Sequence, residues 1–375
     1  MKNKSIFIVF LLLLVLPVVT FPFVKGYIDS ENHEKRTFAK RPQLAWDTLA
    51  SFPGQFDEYF SDYLPYKNQL VMVNNIKNEW LGSGTTAIEY LSESKVIRGK
   101  DKWLFFNAVS KNEESMKDYL CNNLYEEKKL KKIAKRYVKL QEKLDEMGIE
   151  LVVLYAANKE QVYPEYMPST IVPVSSYSRT DQLVDYIHEH TKVPLLYTKE
   201  ALRKEKEKHQ VFYKYDTHWN NLGGFVGGQL LNEYFHGEYV SLDDVSYSAV
   251  SENESGDLAD LLSMRNLYND DIAWQIDNYK EDVTEHLSDE ENAYEFTSNA
   301  KDKRSVLVVK DSFGYAMMGI AKDFAKVTFL KNTEVFKEYC EERKPDILLL
   351  EIVERQKGPQ EKLCKGLYDL LVSEE

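Results

Sequence analysis

Two short segments, far apart in the sequence, combine residue types that could support nucleophilic chemistry. They are Asp216-Thr217-His218-Trp219-Asn220 and Lys310-Asp311-Ser312-Phe313-Gly314. A serine hydroxyl is a weak nucleophile unless a histidine removes its proton. The histidine in turn needs a carboxylate to fix its tautomer and stabilise its charged form. Asp216, His218 and Ser312 supply one group of each kind, which predicts acyl transfer through a covalent serine intermediate.

Each member of this set also has a purely structural interpretation. Ser312 follows the apolar run Val306–Val309 at a predicted strand-to-helix turn, where serine commonly caps a helix. If Ser312 is the nucleophile, its backbone N–H at the helix start is also an oxyanion donor. Asp216 and His218 are two residues apart, so both reach one site only from an extended or turning segment. Without the rest of the chain they could equally form a polar turn.

The spacing of the histidines does not favour a metal site. A metal would need a third and a fourth ligand beside Asp216 and His218. The other histidines offer no suitable spacing, and the side chains of His188 and His190 would diverge on a helix. We therefore expect neither a metal nor a cofactor.

Predicted strands and helices alternate through the part of the chain that carries these segments. The strand candidates are the apolar runs Glu150–Ala156, Pro194–Tyr197, Ser305–Val309, Val327–Leu330 and Ile347–Val353. The helix candidates are Glu126–Met147, Ser178–Thr191, Asn221–Phe235, Tyr315–Phe324 and Thr333–Glu342. This order predicts an α/β fold with a parallel sheet covered by helices on both faces. Ligands of such sheets bind beyond the carboxyl ends of the strands, where Ser312 lies.

The amino terminus predicts a membrane segment. The run Ser5–Val24 is uncharged and apolar, with about the 20 residues that a helix needs to cross a bilayer. No small-x-small cleavage pattern follows, which favours an uncleaved anchor over a removed signal peptide. Lys2 and Lys4 precede the run and predict an amino end in the cytoplasm and a main domain outside, although Lys25 weakens this asymmetry.

The predicted organisation has three parts: a membrane anchor at 1–26, a juxtamembrane linker and helical lead-in at 27–90, and an α/β domain at 91–375. Phe52–Trp80 has helical periodicity, and Val96–Phe106 is typical of a strand, a turn and a second strand. The acidic segment 241–303 interrupts the alternation of strands and helices, and we interpret it as an insertion that covers one side of the sheet.

Composition excludes several classes of function. A net charge of −13 over 375 residues argues against nucleic acid as a partner, because phosphate-binding surfaces need clustered Lys and Arg. The three cysteines, Cys121, Cys340 and Cys364, are widely spaced and form no Cys-x-x-Cys pair. They predict unpaired or buried thiols, with one disulfide possible in an oxidising compartment.

Several motifs together resemble one family of bacterial proteins. The two segments around His218 and Ser312 are similar to those of the alginate O-acetylation proteins AlgJ and AlgX. They are also similar to the related DHHW-type proteins of the SGNH hydrolase-like superfamily. The segment Gly99–Phe105 resembles a motif near the start of the family's domain, and Asn158-Lys159 with Tyr163-Pro164-Glu165 resembles its post-strand loop. The resemblance runs from about residue 31 to residue 355 and includes a single amino-terminal anchor.

The resemblance implies an SGNH hydrolase-like (flavodoxin-like) three-layer α/β/α fold with Ser312 as nucleophile, His218 as base and Asp216 as the orienting carboxylate. Thr217 stands where many relatives carry histidine, a position without an expected triad role. Asn158 or Lys159 would be the second oxyanion donor, with a surface salt bridge as the alternative for Lys159. Trp219 would contact substrate or pack beside the site.

The implied function is that of an extracytoplasmic O-acetyltransferase acting on an envelope or exported polysaccharide. Acetyl-CoA is cytoplasmic, so the resemblance suggests a membrane partner, an AlgI-like multispanning acyltransferase, that supplies acetyl groups. Two alternatives share the same residues. One is a carbohydrate acetyl esterase of the cell envelope. The other is a non-catalytic polysaccharide-binding or assembly protein, a role that 25 tyrosines would also suit.

Overall fold

The computed structural model describes residues 2–28, 30–32, 37–46, 48–80, 95–107, 115–277, 283–286 and 292–373. The chain forms two compact units, which are described separately. The first comprises Met1–Gly84 with Ala259–Leu267, and the second comprises Thr85–Leu258 with Tyr268–Glu375.

The first unit contains the helices α1 (Lys2–Val24), α2 (Phe52–Asp62) and α3 (Lys67–Trp80). Within α1, the 19 residues Ile6–Val24 are long and apolar enough to cross a membrane. The continuous helix predicted over Phe52–Trp80 is wrong, because it breaks between α2 and α3. Pro65 disfavours helical geometry at the residue before it, and Tyr66 has a φ of 60°.

The second unit is built on a seven-stranded sheet. Its strands are β3 (Glu150–Ala156), β4 (Leu195–Tyr197), β7 (Val283–His286), β8 (Ala293–Ser298), β9 (Asp302–Lys310), β10 (Phe324–Leu330) and β11 (Ile347–Val353), and they lie in the order β4-β3-β11-β9-β10-β8-β7. The first five in this order are parallel, whereas β8 and β7 continue the sheet in antiparallel fashion. Two antiparallel pairs lie outside it: β1 (Val96–Arg98) with β2 (Leu104–Phe106), and β5 (Tyr247–Glu254) with β6 (Asp271–Ile276).

Helices connect these strands. They are α4 (Ser115–Leu120), α5 (Glu127–Glu146), α6 (Lys159–Val162), α7 (Arg179–His190), α8 (Lys199–Glu205), α9 (Asn221–His236), α10 (Asp257–Leu261), α11 (Phe336–Glu338) and α12 (Lys357–Val372). A 3₁₀ helix spans Phe313–Lys322, and shorter 3₁₀ or π turns lie at Lys100–Lys102, Pro164–Tyr166, Leu242–Asp244, Thr333–Val335, Tyr339–Arg343 and Glu354–Gln356.

The predicted three-layer α/β/α arrangement is confirmed by how the sheet divides the core. Successive side chains of a strand point to opposite faces. In β3, Val152 and Leu154 belong to the cluster that contains α9 and the 3₁₀ helix, whereas Val153 and Tyr155 belong to the cluster that contains α5, α7 and α12. The sheet is therefore buried on both sides, which explains its continuous apolar strands.

The sequence located most elements of the second unit but not all of them. The predicted strands and the hairpin at Val96–Phe106 are confirmed, with small shifts at their ends. The helix predicted at Tyr315–Phe324 is instead the 3₁₀ helix, and that at Thr333–Glu342 is a series of short turns. Helix α12 was not predicted.

The segment predicted as an insertion, 241–303, contains β5 to β8. Strand β8 pairs directly with β10, so part of this segment widens the sheet. The proposed domain boundaries stay a prediction. The three cysteines are buried thiols outside any disulfide bond, as predicted.

Candidate active site

Three side chains from the two predicted segments meet at the carboxyl end of the sheet. His218 Nε2 lies 2.7 Å from Ser312 Oγ, and His218 Nδ1 lies 2.6 Å from Asp216 Oδ1. Ser312 is exposed, while Asp216 and His218 are partly buried. This is the geometry of a nucleophile, a base and an orienting carboxylate.

The loop that carries Asp216 and His218 ends at helix α9. An isolated antiparallel bridge joins Phe212 to Trp219, and Asn220 Oδ1 caps α9 by accepting hydrogen bonds from the N–H groups of Leu222 and Gly223. Gly224, in the first turn of α9, lets this helix approach the 3₁₀ helix closely, because a Cβ there would collide with the backbone oxygen of Ala316. The two segments are thus held together by helix packing.

The turn that carries Ser312 is fixed by Asp311. Asp311 Oδ1 accepts from the N–H of Phe313 at 2.8 Å, and Oδ2 accepts from the N–H of Val353 at 2.7 Å. Ser312 itself makes no side-chain capping hydrogen bond. The helix-cap interpretation of Ser312 is therefore wrong, because Asp311 does the capping and leaves the serine hydroxyl to His218.

Trp219 lies beneath the site. It is 1% exposed, and its Nε1–H donates to the Phe313 carbonyl at 2.9 Å. It therefore links the two segments by packing, which was the alternative to contacting substrate.

Asp257, at the start of α10, is a site residue that sequence reasoning missed. Its backbone N–H donates to Asp216 Oδ2 at 2.9 Å, and its own carboxylate accepts from the N–H of Thr217 at 2.8 Å and the hydroxyl of Thr217 at 2.7 Å. Gly256 permits this approach, since a Cβ there would lie 2.6 Å from Asp216 Cβ. Asp257 lies in the acidic segment 241–303, where nothing in the sequence separates it from its neighbours.

Hydrogen bonds set the charge of Asp216. Burial by itself raises the pKa of Asp216, but hydrogen bonds from the His218 ring and from the N–H groups of Asp257 and His218 outweigh it. The net effect is a pKa well below the usual range. Asp216 is therefore ionised whenever His218 needs a counter-charge.

The ligand atoms of Asp216, His218 and Asp257 lie within 4.8 Å of one another, so this cluster could hold a metal ion. Its hydrogen bonds give a simpler account. The Asp216 oxygens accept from His218 and from the N–H of Asp257, and the Asp257 oxygens accept from Thr217. These hydrogen-bond donors stabilise the carboxylate oxygens as a bound cation otherwise would.

Lys159 lies under the same loop and is almost fully buried. Its Nζ donates to the carbonyl oxygens of Tyr213 and Lys214 at 3.0 Å each, and to that of Asp216 at 2.6 Å. An ammonium has three N–H donors, and all three are used. These contacts favour support of the catalytic loop over either the surface salt bridge or the oxyanion donation predicted for Lys159.

Asn158 is buried beside Lys159 and is held on both sides. Its N–H donates to Glu354 Oε1 at 2.7 Å, and Arg355 Nη1 donates to its Oδ1 at 3.2 Å. Its Nδ2 has no acceptor among the residues that the structure describes. Arg355, whose guanidinium lies 5.1 Å from the centre of the Phe313 ring, joins Asn158 to the serine turn and was not predicted as a site residue.

One family model matches residues 96–331, more than half of the chain. Its description is the SGNH hydrolase-like domain of acetyltransferase AlgX. The chain belongs to this family. The resemblance to AlgJ, AlgX and DHHW-type proteins and the predicted SGNH hydrolase-like fold are confirmed, and the family is one of acetyltransferase-like domains.

Several solved structures are similar to this chain at low sequence identity. Bacillus cereus PatB1 with a sulfonyl adduct is 16% identical, with 70% of this chain and 99% of that chain covered and a TM-score of 0.48. The O-acetyltransferase domain of Pseudomonas putida AlgJ is 16% identical, with coverages of 73% and 98% and a TM-score of 0.46. A DHHW family protein from Eubacterium siraeum is 12% identical, with coverages of 74% and 96% and a TM-score of 0.49. No curated protein is detectably similar in sequence to this chain.

Proposed function

We propose that this chain is an extracytoplasmic polysaccharide O-acetyltransferase that carries the acetyl group on Ser312. The observation behind the proposal is the pair of short contacts at His218, 2.7 Å to Ser312 Oγ and 2.6 Å to Asp216 Oδ1, with the serine exposed. Membership of an acetyltransferase-like family supports the choice of acetyl as the group transferred.

The first half-reaction loads the serine. Ser312 Oγ attacks the carbonyl carbon of the acetyl donor while its proton passes to His218 Nε2. The tetrahedral intermediate collapses when the bond between the acetyl carbon and the donor's leaving atom breaks, and His218 returns the proton to that atom. Acetyl-Ser312 remains, and Asp216 stabilises the imidazolium that forms in between.

The second half-reaction transfers the acetyl group. A sugar hydroxyl gives its proton to His218 Nε2 and attacks the acetyl carbon, after which Ser312 leaves with that proton. The backbone N–H of Ser312 would stabilise the oxyanion, a contribution of about 3 kcal/mol. Asn158 Nδ2 is the second candidate donor because Arg355 holds the amide oxygen, but it is buried, so substrate binding would have to open its surroundings.

The apolar helix at the amino terminus supports placement at a membrane, with the catalytic unit outside the cell. Activated acetyl groups are made inside the cell, so this placement requires a membrane protein that hands them across. An AlgI-like multispanning acyltransferase is the proposed partner, and the exported polysaccharide is the proposed acceptor.

The test is reaction of the full-length protein with a serine-directed fluorophosphonate, followed by acetyl transfer from 4-nitrophenyl acetate to oligosaccharides. We expect labelling at Ser312 that Ser312→Ala abolishes and His218→Ala suppresses, and acetylated sugar among the products. Release of all the acetyl as acetate would indicate the esterase instead. Absence of labelling in the folded wild-type protein would contradict both enzymatic functions.

A further inference from the structure

A groove of about 340 Å³ begins beside the nucleophile, between the 3₁₀ helix and the antiparallel strands β7 and β8. We propose that it binds an uncharged pyranose ring of the acceptor chain, next to the sugar that receives the acetyl group. This inference rests on the proposed function for its context, but it concerns a separate binding surface.

The position of the groove follows from the period of the 3₁₀ helix. In this helix, side chains three residues apart lie above one another and each residue rises about 2 Å. Ser312 and Tyr315 are exposed and Met318 is partly exposed, whereas Gly314 and Met317 are buried. The row Ser312, Tyr315 and Met318 thus forms one face, and its second and third members line the groove about 6 and 12 Å from the serine along the helix axis.

The opposite wall comes from one face of the β7–β8 pair. Glu285 lies opposite Phe296 in the strand register, and alternate residues share a face, so Tyr294 lies on the same side. The Tyr294 and Tyr315 ring centres are 6.4 Å apart. Two tyrosines and the Phe296 edge therefore give the groove aromatic surfaces on two sides.

The lining selects a class of ligand. Aromatic rings with an exposed face stack on the C–H face of a pyranose, while a few polar groups fix its orientation. Tyr315 lies with Lys310 Nζ 3.1 Å from its ring centre and the Tyr294 ring at a steep angle to it, yet 51% of the residue is exposed and available to a ligand. Glu285 is the charged group among the groove residues that the structure describes, and it can accept hydrogen bonds from sugar hydroxyls. Lys331 Nζ lies 3.9 Å from the centre of the Tyr294 ring, so both signs of charge surround the groove. A carboxylated sugar therefore gains no net attraction there, and an uncharged sugar fits best.

The position also suggests how the groove would act. A sugar ring spans roughly the distance between successive side chains of the row, so a ring stacked on Tyr315 would leave its neighbour at Ser312. The groove would therefore align the polymer rather than hold the acetyl group. Its loss should weaken acceptor binding more than it slows the chemical steps.

The experiment measures binding of tetrasaccharides to full-length protein in detergent, with Ser312→Ala in every sample to prevent turnover. The probes are cellotetraose and chitotetraose, which are uncharged, and tetragalacturonate, which is anionic. We expect the uncharged probes to bind more tightly, and Tyr315→Ala to raise their Kd about two- to tenfold, the range that corresponds to loss of one aromatic stack. Tyr177→Ala is the matched control, because Tyr177 is 40% exposed and lies outside the groove.

Kinetics with the catalytic serine intact give the second readout. Tyr315→Ala should raise KM for the acceptor while kcat changes less than about threefold, a division that general unfolding would not produce. Equal Kd values for Tyr315→Ala and the reference protein, tighter binding of tetragalacturonate, or no binding of either uncharged probe would each overturn the proposal. Failure of fluorophosphonate labelling would contradict the proposed function alone, whereas transfer that is insensitive to Tyr315→Ala would contradict the groove alone.

Discussion

His218 contacts Ser312, which has to lose a proton in the proposed reaction, and Asp216, which has to stay ionised. Asp216 stays ionised because hydrogen bonds keep its pKa well below the usual range, although burial acts in the other direction. The site therefore depends on Asp216 as an acceptor rather than simply as a polar neighbour.

Replacement of Asp216 by asparagine tests this dependence. The amide can donate to His218 Nδ1 and so favour the tautomer in which Nε2 carries the proton, which cannot accept one from Ser312. We expect the fluorophosphonate labelling rate to fall about 10³- to 10⁴-fold with little change in fold. Asp270→Asn is the control, because that carboxylate is 61% exposed and accepts from Tyr215 outside the triad. Labelling of Asp216→Asn at the wild-type rate would contradict the proposed role.

A second buried carboxyl lies beneath the serine turn. Glu351 is fully buried on β11, paired with Lys310 in the strand register, and its Oε2 would lie 2.8 Å from a Cβ at Gly314. Burial and the nearby Asp311 charge raise the pKa of Glu351 well above 4.5, although Lys310 acts in the other direction. The folded protein therefore holds this proton to a higher pH than the unfolded chain, which releases it above about pH 4.5.

Glu351→Gln should consequently change how stability depends on pH. Since the unfolded wild-type chain binds fewer protons above pH 4.5, its free energy of unfolding declines as pH rises, and glutamine removes that decline. We expect the variant to become more stable relative to wild type as the pH rises from 5 to 8, because only the wild type loses stability through this group. The measurement is the thermal melting temperature of both proteins across this pH range. Melting temperatures that change in parallel with pH would contradict the prediction.

At this scale the sequence identified the reactive groups and missed their supports. Asp216, His218 and Ser312 could be chosen because triad chemistry requires those residue types in loops after strands. Asp257 and Arg355 could not, because their roles come from contacts between segments that only the folded chain brings together. The sequence also allowed Ser312 to cap the helix, whereas in the structure Asp311 accepts the hydrogen bond from the helix start.

At the scale of elements, the loop before α9 is stabilised by the ammonium group of Lys159. Lys159 donates to three backbone carbonyls of residues 213–216, so the loop carrying Asp216 has an internal support. Lys159→Met should lower the free energy of unfolding by about 1–3 kcal/mol, because it leaves buried carbonyls without donors, and should slow labelling of Ser312. Lys131→Met, which removes an exposed contact to Glu127 on the surface of α5, should do neither. Equal effects of the two variants would contradict a specific support.

The same support should depend on pH. Burial lowers the pKa of Lys159 to about 8, against the opposing effect of nearby Asp216, Asp257, Asp271 and Glu160. Between pH 8 and 10.5, Lys159 binds more protons in the unfolded chain than in the folded protein. Its contribution to the free energy of unfolding therefore increases as the pH rises. The folded amine meanwhile has fewer N–H donors for the loop. Labelling should therefore decline above pH 8 as this contribution to stability grows, and Lys159→Met should lose that decline.

Burial also lowers the pKa of Lys310 to about 8, so its contribution has to be separated. The pH profile of labelling is repeated with Lys310→Met, in which we expect the decline above pH 8 to persist. Loss of the decline in this variant would assign it to Lys310 instead of Lys159.

Prediction of elements succeeded where burial and pattern agree. Strands β3 and β11 are buried on both faces, and their continuous apolar runs gave their bounds directly. The 3₁₀ geometry of Phe313–Lys322 could not be distinguished from α-helix, because its sequence has apolar residues at nearly every position. Strands β5 to β8 carry acidic and polar residues on exposed faces, which conceals the alternation.

For the molecule as a whole, the apolar amino-terminal helix predicts where the catalytic chemistry takes place. Leu11→Arg with Val15→Arg should shift the protein out of the membrane fraction, because each arginine in the middle of a span costs about 2.5–3.5 kcal/mol on insertion scales. Tyr27→Arg with Leu44→Arg, beyond the helix, should have no such effect. The measurement is the distribution between membrane and soluble fractions after carbonate extraction. Retention of the first variant in the membrane would contradict the anchor.

The order of strands in the sheet has a consequence for how the protein is made. Strand β11 follows the other strands in the chain, yet it lies between β3 and β9 in the sheet. If the chain crosses a membrane as proposed, β3 and β9 lack the strand that lies between them until β11 has crossed, and Asp311 lacks the Val353 N–H that fixes the serine turn. Assembly of the catalytic centre therefore waits until residue 353 has emerged. Under the proposed function, a chain exported only as far as β9 would therefore be unable to transfer acetyl groups.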